Sequence, residues 1–167
     1  MIIDIGKKVM YPGQGPCLIG SVVKREIAGR SMNFYRLVLL GDGGGELFVP
    51  LEKVRTLGLR PLLTAAEIPA LMARLQAPPP CPKDWKQRAM EHARLLASGT
   101  TFDLAEIVGG LILLNEAKPL STRESLLLDR AKKLLIREVA EVTEEARSEA
   151  EARINRALRA GKEEACR

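Results

Sequence analysis

The segment from Ala77 to Arg88 constrains the fold more than any other stretch of this 167-residue chain, because it contains four of the ten prolines and the only tryptophan. Proline fixes φ and removes a backbone donor, so neither a helix nor a central strand runs through consecutive prolines. Short strand-like runs separated by glycine lie well before this break, and helical patterns dominate after it. The chain is therefore expected to combine a β part and an α part.

The residues after the prolines predict a helix that starts behind Asp84 and ends at Gly99. Trp85 then falls in the first helical turn. Two interpretations of it stay open: a single tryptophan usually packs in a core or between domains, whereas an indole surrounded by cations can also point outward. The basic neighbours are Lys83, Lys86 and Arg88.

Residues 9–50 consist of short β-type runs with turns between them, at Ala28-Gly29-Arg30 and at Gly41-Asp42-Gly43-Gly44-Gly45. Several short antiparallel strands within about fifty residues indicate a small, strongly curled barrel of the SH3 or Tudor type. The glycine run fits a loop tip equally well. Residues 1–60 carry a surplus of four positive charges and residues 61–167 a surplus of one, so the β part is the more basic.

Two capping boxes mark helix starts in the rest of the chain, Thr64-Ala65-Ala66-Glu67 and Ser121-Thr122-Arg123-Glu124. The first predicts a helix to Gln76, and the second opens a long helix with a basic outer side. Between these, residues 102–115 have apolar side chains at helical spacing, and the pair Gly109-Gly110 predicts close approach of a neighbouring helix. The cations of the outer side are Arg123, Arg130, Lys132, Lys133 and Arg137.

An acidic stretch follows and continues as a last helix that ends near Gly161. Together these patterns predict an α+β protein of two domains. Residues 1–62 are expected to form a small Tudor-like or SH3-like β-barrel, residues 63–162 a compact all-α helical domain, and residues 163–167 a frayed tail.

The residue types that catalysis or metal binding requires are not arranged for it in this sequence. Cys17, Cys81 and Cys166 are far apart and follow no metal-binding or disulfide pattern, and the single histidine, His92, is expected at a solvated helix position. Neither a phosphate-binding glycine loop nor a membrane-length apolar run is present. We expect a soluble, cytoplasmic protein without enzymatic activity, cofactor, metal or membrane association. The net charge of +5 permits an anionic partner without requiring one.

A series of short motifs occurs along the chain in a fixed order. The first part contains Gly6-x-x-Val9-x-Tyr11-Pro12-x-x-Gly15, Ile27-x-Gly29, Phe34-Tyr35-x-Leu37, Val49-Pro50 and Gly58-Leu59-Arg60. The second part contains Trp85-x-x-Arg88, Leu96-Ala97-Ser98-Gly99, Leu104-Ala105-Glu106-Ile107-Val108, Leu120-Ser121-x-x-Glu124 and Ala131-x-x-Leu134-Leu135-x-x-Glu138. From Ile3 to Leu158, the chain resembles the CarD/CdnL family of bacterial RNA polymerase-binding transcription regulators.

The resemblance implies a Tudor-like first domain that docks on the RNA polymerase β subunit, similar to a domain of the transcription-repair coupling factor. It also implies a helical domain that contacts promoter DNA at the upstream edge of the melted region, largely independently of sequence, and stabilises the open promoter complex. Trp85 matches the wedge tryptophan of the family. The further DNA-binding candidates, which share a positive charge, are Lys83, Lys86, Arg88, Arg130, Lys132 and Lys133. Such a protein would be nucleoid-associated through the polymerase.

Arg25 matches a position that contacts the β subunit in relatives, and an exposed edge strand would pair with the partner's sheet. The other candidates for this contact are Phe48, Val49 and Pro50. Two departures from the family pattern keep an alternative open: Phe48 stands where some relatives have a cation, and residues 89–91 are less basic and less aromatic. In that alternative, the chain is a protein-interaction module that binds RNA polymerase or another regulatory protein, with little or no DNA contact. A monomer is expected, with a strand-exchanged dimer as the alternative.

Overall fold

A computed structural model describes residues 3–41 and 43–166. The chain divides after Leu62 into two compact units. Within the described residues the first unit is built from β-strands and the second from α-helices, which confirms the predicted order of a β domain followed by a helical domain. No helix in those residues is long and apolar enough to span a membrane.

One antiparallel sheet forms the first unit. Its strands are β1 (Lys8–Tyr11), β2 (Gly15–Ile27), β3 (Arg30–Leu39), β4 (Glu46–Pro50) and β5 (Arg60–Pro61), in the order β4-β3-β2-β1-β5. A two-residue turn, Ala28-Gly29, joins β2 to β3, and both of its residues have positive φ. That geometry matches the right-handed twist of a hairpin. A register shift between Ile19 and Ser21 marks a bulge, which bends β2.

The apolar core of the first unit lies on one face of this sheet. It contains Val9, Cys17, Ile19, Tyr35, Leu37, Val49, Val54 and Leu59, each 5% exposed or less. The Tyr35 hydroxyl accepts a hydrogen bond from the Ile3 N–H at 3.1 Å and so ties the start of the chain to the core. The glycine run predicted as a turn connects β3 to β4, with Asp42 outside the described residues.

Five α-helices form most of the described part of the second unit. They are α1 (Ile68–Gln76), α2 (Trp85–Ser98), α3 (Thr101–Ala117), α4 (Thr122–Thr143) and α5 (Arg147–Ala165). Their largest fully buried side chains include Leu71, Leu75, Leu95, Ile107, Leu111, Leu135 and Ile154. Both predicted capping boxes start helices: the Thr64 N–H and hydroxyl donate to Glu67 at 2.8 Å, and the Ser121 hydroxyl accepts from the Glu124 N–H at 3.2 Å.

The predicted close approach at Gly109-Gly110 is made mainly by residues 78–82, called the proline segment below, and not by the side of a helix. A Cβ at Gly109 would lie 2.7 Å from Pro78 Cβ, and one at Gly110 would lie 2.5 Å from Cys81 Sγ. Real Cβ atoms do not come this close to other atoms, so side chains at the two positions would displace the segment. The glycines therefore let the prolines lie directly on α3.

The prediction that the last helix ends near Gly161 is wrong. A Cβ at this glycine would overlap the Gln76 carbonyl, so the missing side chain serves the packing of α5 against the end of α1. The helix passes through Gly161 and continues to Ala165. Residues 163–165, expected in a frayed tail, thus belong to α5, while Arg167 lies outside the described residues.

Candidate nucleic-acid interface

Arg88, near the start of α2, is 2% exposed and binds the segment that precedes its own helix. Its Nη1 donates to the carbonyl oxygens of Pro82 and Lys83, at 3.2 and 2.9 Å. Its Nε and Nη2 donate to both carboxylate oxygens of Glu124 in α4, at 3.1 and 3.2 Å. Bidentate pairing of this kind is strong and directional. The guanidinium therefore clamps the proline segment, α2 and α4 together.

Trp85 is the first residue of α2 and is 63% exposed. Asp84 caps the helix, because its carboxylate accepts a hydrogen bond from the Gln87 N–H at 3.1 Å. The cap and the Arg88 clamp fix the backbone on both sides of the indole. The exposure excludes the interpretation that this tryptophan is packed in a core. The ring projects into solvent from a helix start whose backbone is fixed by the cap and the clamp.

Only two of the three cations around Trp85 are available at the surface. Lys83 and Lys86 are exposed, and Lys86 Nζ lies 5.6 Å from the centroid of the indole ring. The prediction that Arg88 contacts phosphate is wrong, because its guanidinium is buried and engaged by a carboxylate and two carbonyls. No local signal could have revealed this, since Glu124 is 36 residues away in the sequence.

A cleft of about 410 Å³ lies beside Trp85, between α2 and the first turns of α4. Its walls are mainly apolar and include Trp85, Ala89, Ala93, Leu96 and Leu127. Its polar lining comes from the Arg88 and Glu124 pair, His92, Ser121 and Arg123. The sequence predicted neither this cleft nor its residues, because it forms where two helices far apart in the chain meet.

His92 lines the cleft and is 5% exposed, so the prediction of a solvated helix position is wrong. Burial lowers the pKa of the imidazole, and the nearby Glu124 carboxylate opposes that effect only in part. The ring is therefore neutral at pH 7. Hydrogen bonding from Arg88 lowers the pKa of the Glu124 carboxyl, and the Ser121 hydroxyl acts in the same direction. An ionised carboxylate thus sits beside a neutral imidazole.

The predicted DNA-binding cations of α4 do not form one surface. Arg130 and Lys133 are exposed, whereas Lys132 is half-buried. At about 100° per residue, Arg130 and Lys133 lie roughly 60° apart around the helix, and Lys132 lies roughly 160° from Arg130. Arg123 and Arg137 fall on the side of Arg130 and Lys133. Grouping Lys132 with these residues is therefore wrong, because it stands on the opposite flank of α4.

In the first unit, two of the predicted polymerase-contact residues meet. Arg25 on β2 and Phe48 on β4 lie on the same face of the sheet, and the Arg25 Cζ is 4.2 Å from the centroid of the Phe48 ring. This is a cation–π contact, which orients the guanidinium over the ring. Phe48 is itself 37% exposed. Phe48 replaces the cation that some relatives have at this position, and Arg25 on β2 places a positive charge beside it.

Among the described strands, β4 is at an edge of the sheet. The Leu39 N–H donates to the Gly45 carbonyl at 2.9 Å, and hydrogen-bonded pairs alternate along an antiparallel ladder. Given the register of β3 and β4, the backbone groups of Leu47 bond to β3, whereas those of Phe48 point to the open edge. The exposed ring and an outward N–H and C=O thus belong to one residue.

The other two candidates on β4 differ from Phe48. Val49 is 3% exposed and belongs to the core, so its side chain is not available for the predicted contact with the polymerase. Successive side chains of a strand point to opposite faces, which places Val49 inward when Phe48 points outward. Pro50 is half-buried at the end of the strand and has no N–H to donate.

The structure offers little support for chemistry at cysteines or metals. Over residues 3–41 and 43–166, no group of three or more His, Cys, Asp or Glu side chains is placed to hold a metal ion. Burial raises the pKa of the Cys17 thiol to about 11 and also raises that of Cys81. Thiols that stay protonated are weak nucleophiles and weak metal ligands.

Comparison with known proteins matches both units. Residues 3–63 match the family described as CarD-like/TRCF RID domain, and residues 71–155 match the family described as CarD, C-terminal domain. Among solved structures, the chain is similar to the solution NMR structure of the 72-residue N-terminal domain of Myxococcus xanthus CarD. The identity is 30%, the match covers 35% of this chain and 77% of that one, and the TM-score is 0.30.

The two matched families are regulatory, non-enzymatic RNA polymerase-binding families. Their models match one unit each, in the expected order, and the C-terminal match alone spans more than half of the chain. This protein therefore belongs to the CarD/CdnL family of RNA polymerase-interacting transcription regulators.

Proposed function

We propose that this regulator docks on the β subunit of RNA polymerase through its first unit and stabilises the open promoter complex with Trp85. The observation that carries the proposal is the exposure of Trp85 at the start of a clamped helix. An aromatic wedge at a minor-groove step favours unstacked DNA, and stacking on one base contributes about 1–3 kcal/mol. On the equilibrium between closed and open promoter, this corresponds to about five- to a hundredfold.

Around the wedge, Lys83 and Lys86 are exposed and would contact phosphates of the duplex. Phosphate contacts position a protein on DNA without reading its sequence, so this binding is largely sequence-independent and sensitive to salt. Arg130 and Lys133 on α4 form a second candidate phosphate contact on the outer side of that helix.

For the first unit, we propose a Tudor-like barrel that binds the polymerase by strand addition. The strand order β4-β3-β2-β1-β5 and the bulge in β2 are compatible with a small barrel of this type. A partner strand would bond to the outward backbone groups of Phe48 at the edge of β4. Arg25, stacked on the Phe48 ring, would contact the partner beside that strand.

The wedge is tested by the lifetime of the open complex formed by the regulator and its own RNA polymerase holoenzyme. Trp85→Ala should shorten the lifetime gained from the regulator by about five- to a hundredfold. The matched control is Met90→Ala, which removes another exposed apolar side chain of α2, 74% exposed, and should leave the lifetime unchanged. Polymerase binding should be the same in both variants. An unchanged lifetime with Trp85→Ala would contradict the wedge.

The docking face is tested by retention of the regulator on immobilised polymerase β subunit. Arg25→Glu reverses the charge stacked on Phe48 and should reduce retention about tenfold or more, since it reverses a charge at the centre of the proposed interface. Arg30→Glu makes the same charge change at the exposed turn end of β3 and should have the smaller effect. Equal retention of both variants would show that the docking face lies elsewhere.

A second candidate function is contact with protein alone through the helical unit. Its support is the exposure of Met90 and Leu126, at 74% and 66%, because exposed apolar side chains match a protein surface better than phosphates. In that case Met90→Ala, rather than Trp85→Ala, would reduce promoter control.

A further inference from the structure

The cleft beside Trp85 has the size and the walls of a ligand site. Its volume of about 410 Å³ falls within the roughly 300–1,000 Å³ of typical small-molecule pockets. Trp85 forms one wall, and Ala93 and Leu127 contribute from α2 and α4. A mainly apolar cleft with a few polar groups suits a flat ligand with apolar faces and a hydrogen-bonding edge.

His92 contributes a hydrogen-bonding group to the cleft. The imidazole lines the cleft and is 5% exposed. Because burial lowers its pKa, the neutral ring offers one N–H donor and one acceptor nitrogen. A ligand that carries neighbouring donor and acceptor atoms would satisfy both.

We propose that this cleft receives one unpaired nucleobase from the DNA strand next to Trp85, an inference that rests on the proposed function. A nucleobase has two apolar faces, which match the indole and the aliphatic walls, and an edge of donors and acceptors, which matches His92. The Glu124 carboxylate can accept a further bond from an exocyclic amine. Arg123 lines the cleft and Lys86 lies against the Trp85 ring. Both cations are exposed and would contact the phosphates on either side of the base.

The cleft can be filled without touching the wedge. Ala93 and Ala97 are exposed alanines one turn apart on α2, and only Ala93 lines the cleft. Ala93→Phe therefore occupies the proposed base site, and Ala97→Phe adds the same ring outside it. Both variants should unfold at the wild-type denaturant concentration. If Ala93→Phe does not, the smaller Ala93→Leu takes its place.

The probe is forked promoter DNA that carries 2-aminopurine at each unpaired position near the upstream fork in turn, bound to polymerase holoenzyme. The wild-type regulator should change the emission at one position by about twofold or more, because transfer of a base from the DNA stack to a protein pocket alters its quenching. Ala93→Phe should abolish this change and shorten the open-complex lifetime about fivefold or more, as expected for a lost stacking contact. Ala97→Phe should do neither.

An abasic site at the responding position separates the possible outcomes. On that DNA, Ala93→Phe and wild type should give the same lifetime, since the base that the cleft would hold is gone. A defect of Ala93→Phe that is equal on intact and abasic DNA would assign the cleft to a protein ligand and overturn the proposal. An emission change that survives in Ala93→Phe would also overturn it, while the role of Trp85 stands. Failure of the wedge itself would appear as an unchanged lifetime with Trp85→Ala.

Discussion

The two contact surfaces are supported in different ways. Trp85 stands on a buried clamp, in which Arg88 binds Glu124 and two carbonyls of the proline segment. Phe48 stands on an edge strand, and its contact Arg25 is exposed as well. A side chain that separates stacked bases must be held on a rigid backbone. The backbone of an edge strand, in contrast, becomes ordered when a partner strand pairs with it. Changes beneath Trp85 should therefore affect folding, and changes at Phe48 should affect binding alone.

The largest expected effect is the loss of the clamp. Arg88→Ala leaves the Glu124 carboxylate without its bidentate partner, and removing one member of a buried pair typically costs about 3–5 kcal/mol. The free energy of unfolding of the second unit should fall by about that amount. Denaturation followed by the fluorescence of the single tryptophan, which lies in this unit, gives the value.

Arg94→Ala is the matched control for the clamp. Arg94 lies on the same helix and also contacts both carboxylate oxygens of a glutamate, Glu91, but its side chain is 64% exposed. Exposed pairs contribute about 0–1 kcal/mol. Similar losses of unfolding free energy in Arg88→Ala and Arg94→Ala would mean that the buried Arg88–Glu124 pair contributes no more than an exposed surface pair.

A smaller effect is expected when the outward N–H of β4 is removed. Phe48→Pro deletes this donor together with the ring, while Phe48→Ala deletes only the ring, so the difference between them isolates the backbone bond. One hydrogen bond contributes about 0.5–1.5 kcal/mol, which predicts about two- to tenfold weaker polymerase binding for the proline variant. Thermal unfolding of the two variants should agree, because this N–H does not bond to β3. Identical affinities would argue against strand addition at β4.

The smallest effect is a dependence of stability on pH near neutrality in the second unit, which contains the only histidine, His92. Burial lowers its pKa in the folded state, so the unfolded state binds the proton more readily, and stability falls as pH drops below the ordinary value of 6.5. Glu124, whose pKa is lowered from 4.5, contributes stability that is lost only at more acidic pH.

His92→Gln removes the first of these two steps. Between about pH 7 and pH 5.5, the variant should lose less stability than wild type, measured by tryptophan fluorescence during denaturation. Equal losses would place the titrating group elsewhere.

Local chemistry was predictable from the sequence, and distant contacts were not. Asp84 and Gly99 mark the ends of α2 correctly, because caps depend on the residues next to them. The sequence predicts surface positions for Arg88 and His92, because α4, which lies over both of them, is far along the chain. Val49 follows two other apolar residues of β4, so the alternation of a strand did not decide which of them points inward.

The glycine pair on which the prolines rest has a genetic consequence. Pro78 and Cys81 occupy the space beside Gly109 and Gly110 on α3. The position of Trp85, which follows the proline segment, therefore depends on α3, although α3 contacts neither promoter nor polymerase in our proposal. A screen for lost promoter control should therefore recover side-chain additions at these glycines alongside replacements of the tryptophan. Such alleles would carry a defect in transcription without altering a single residue of the contact surface.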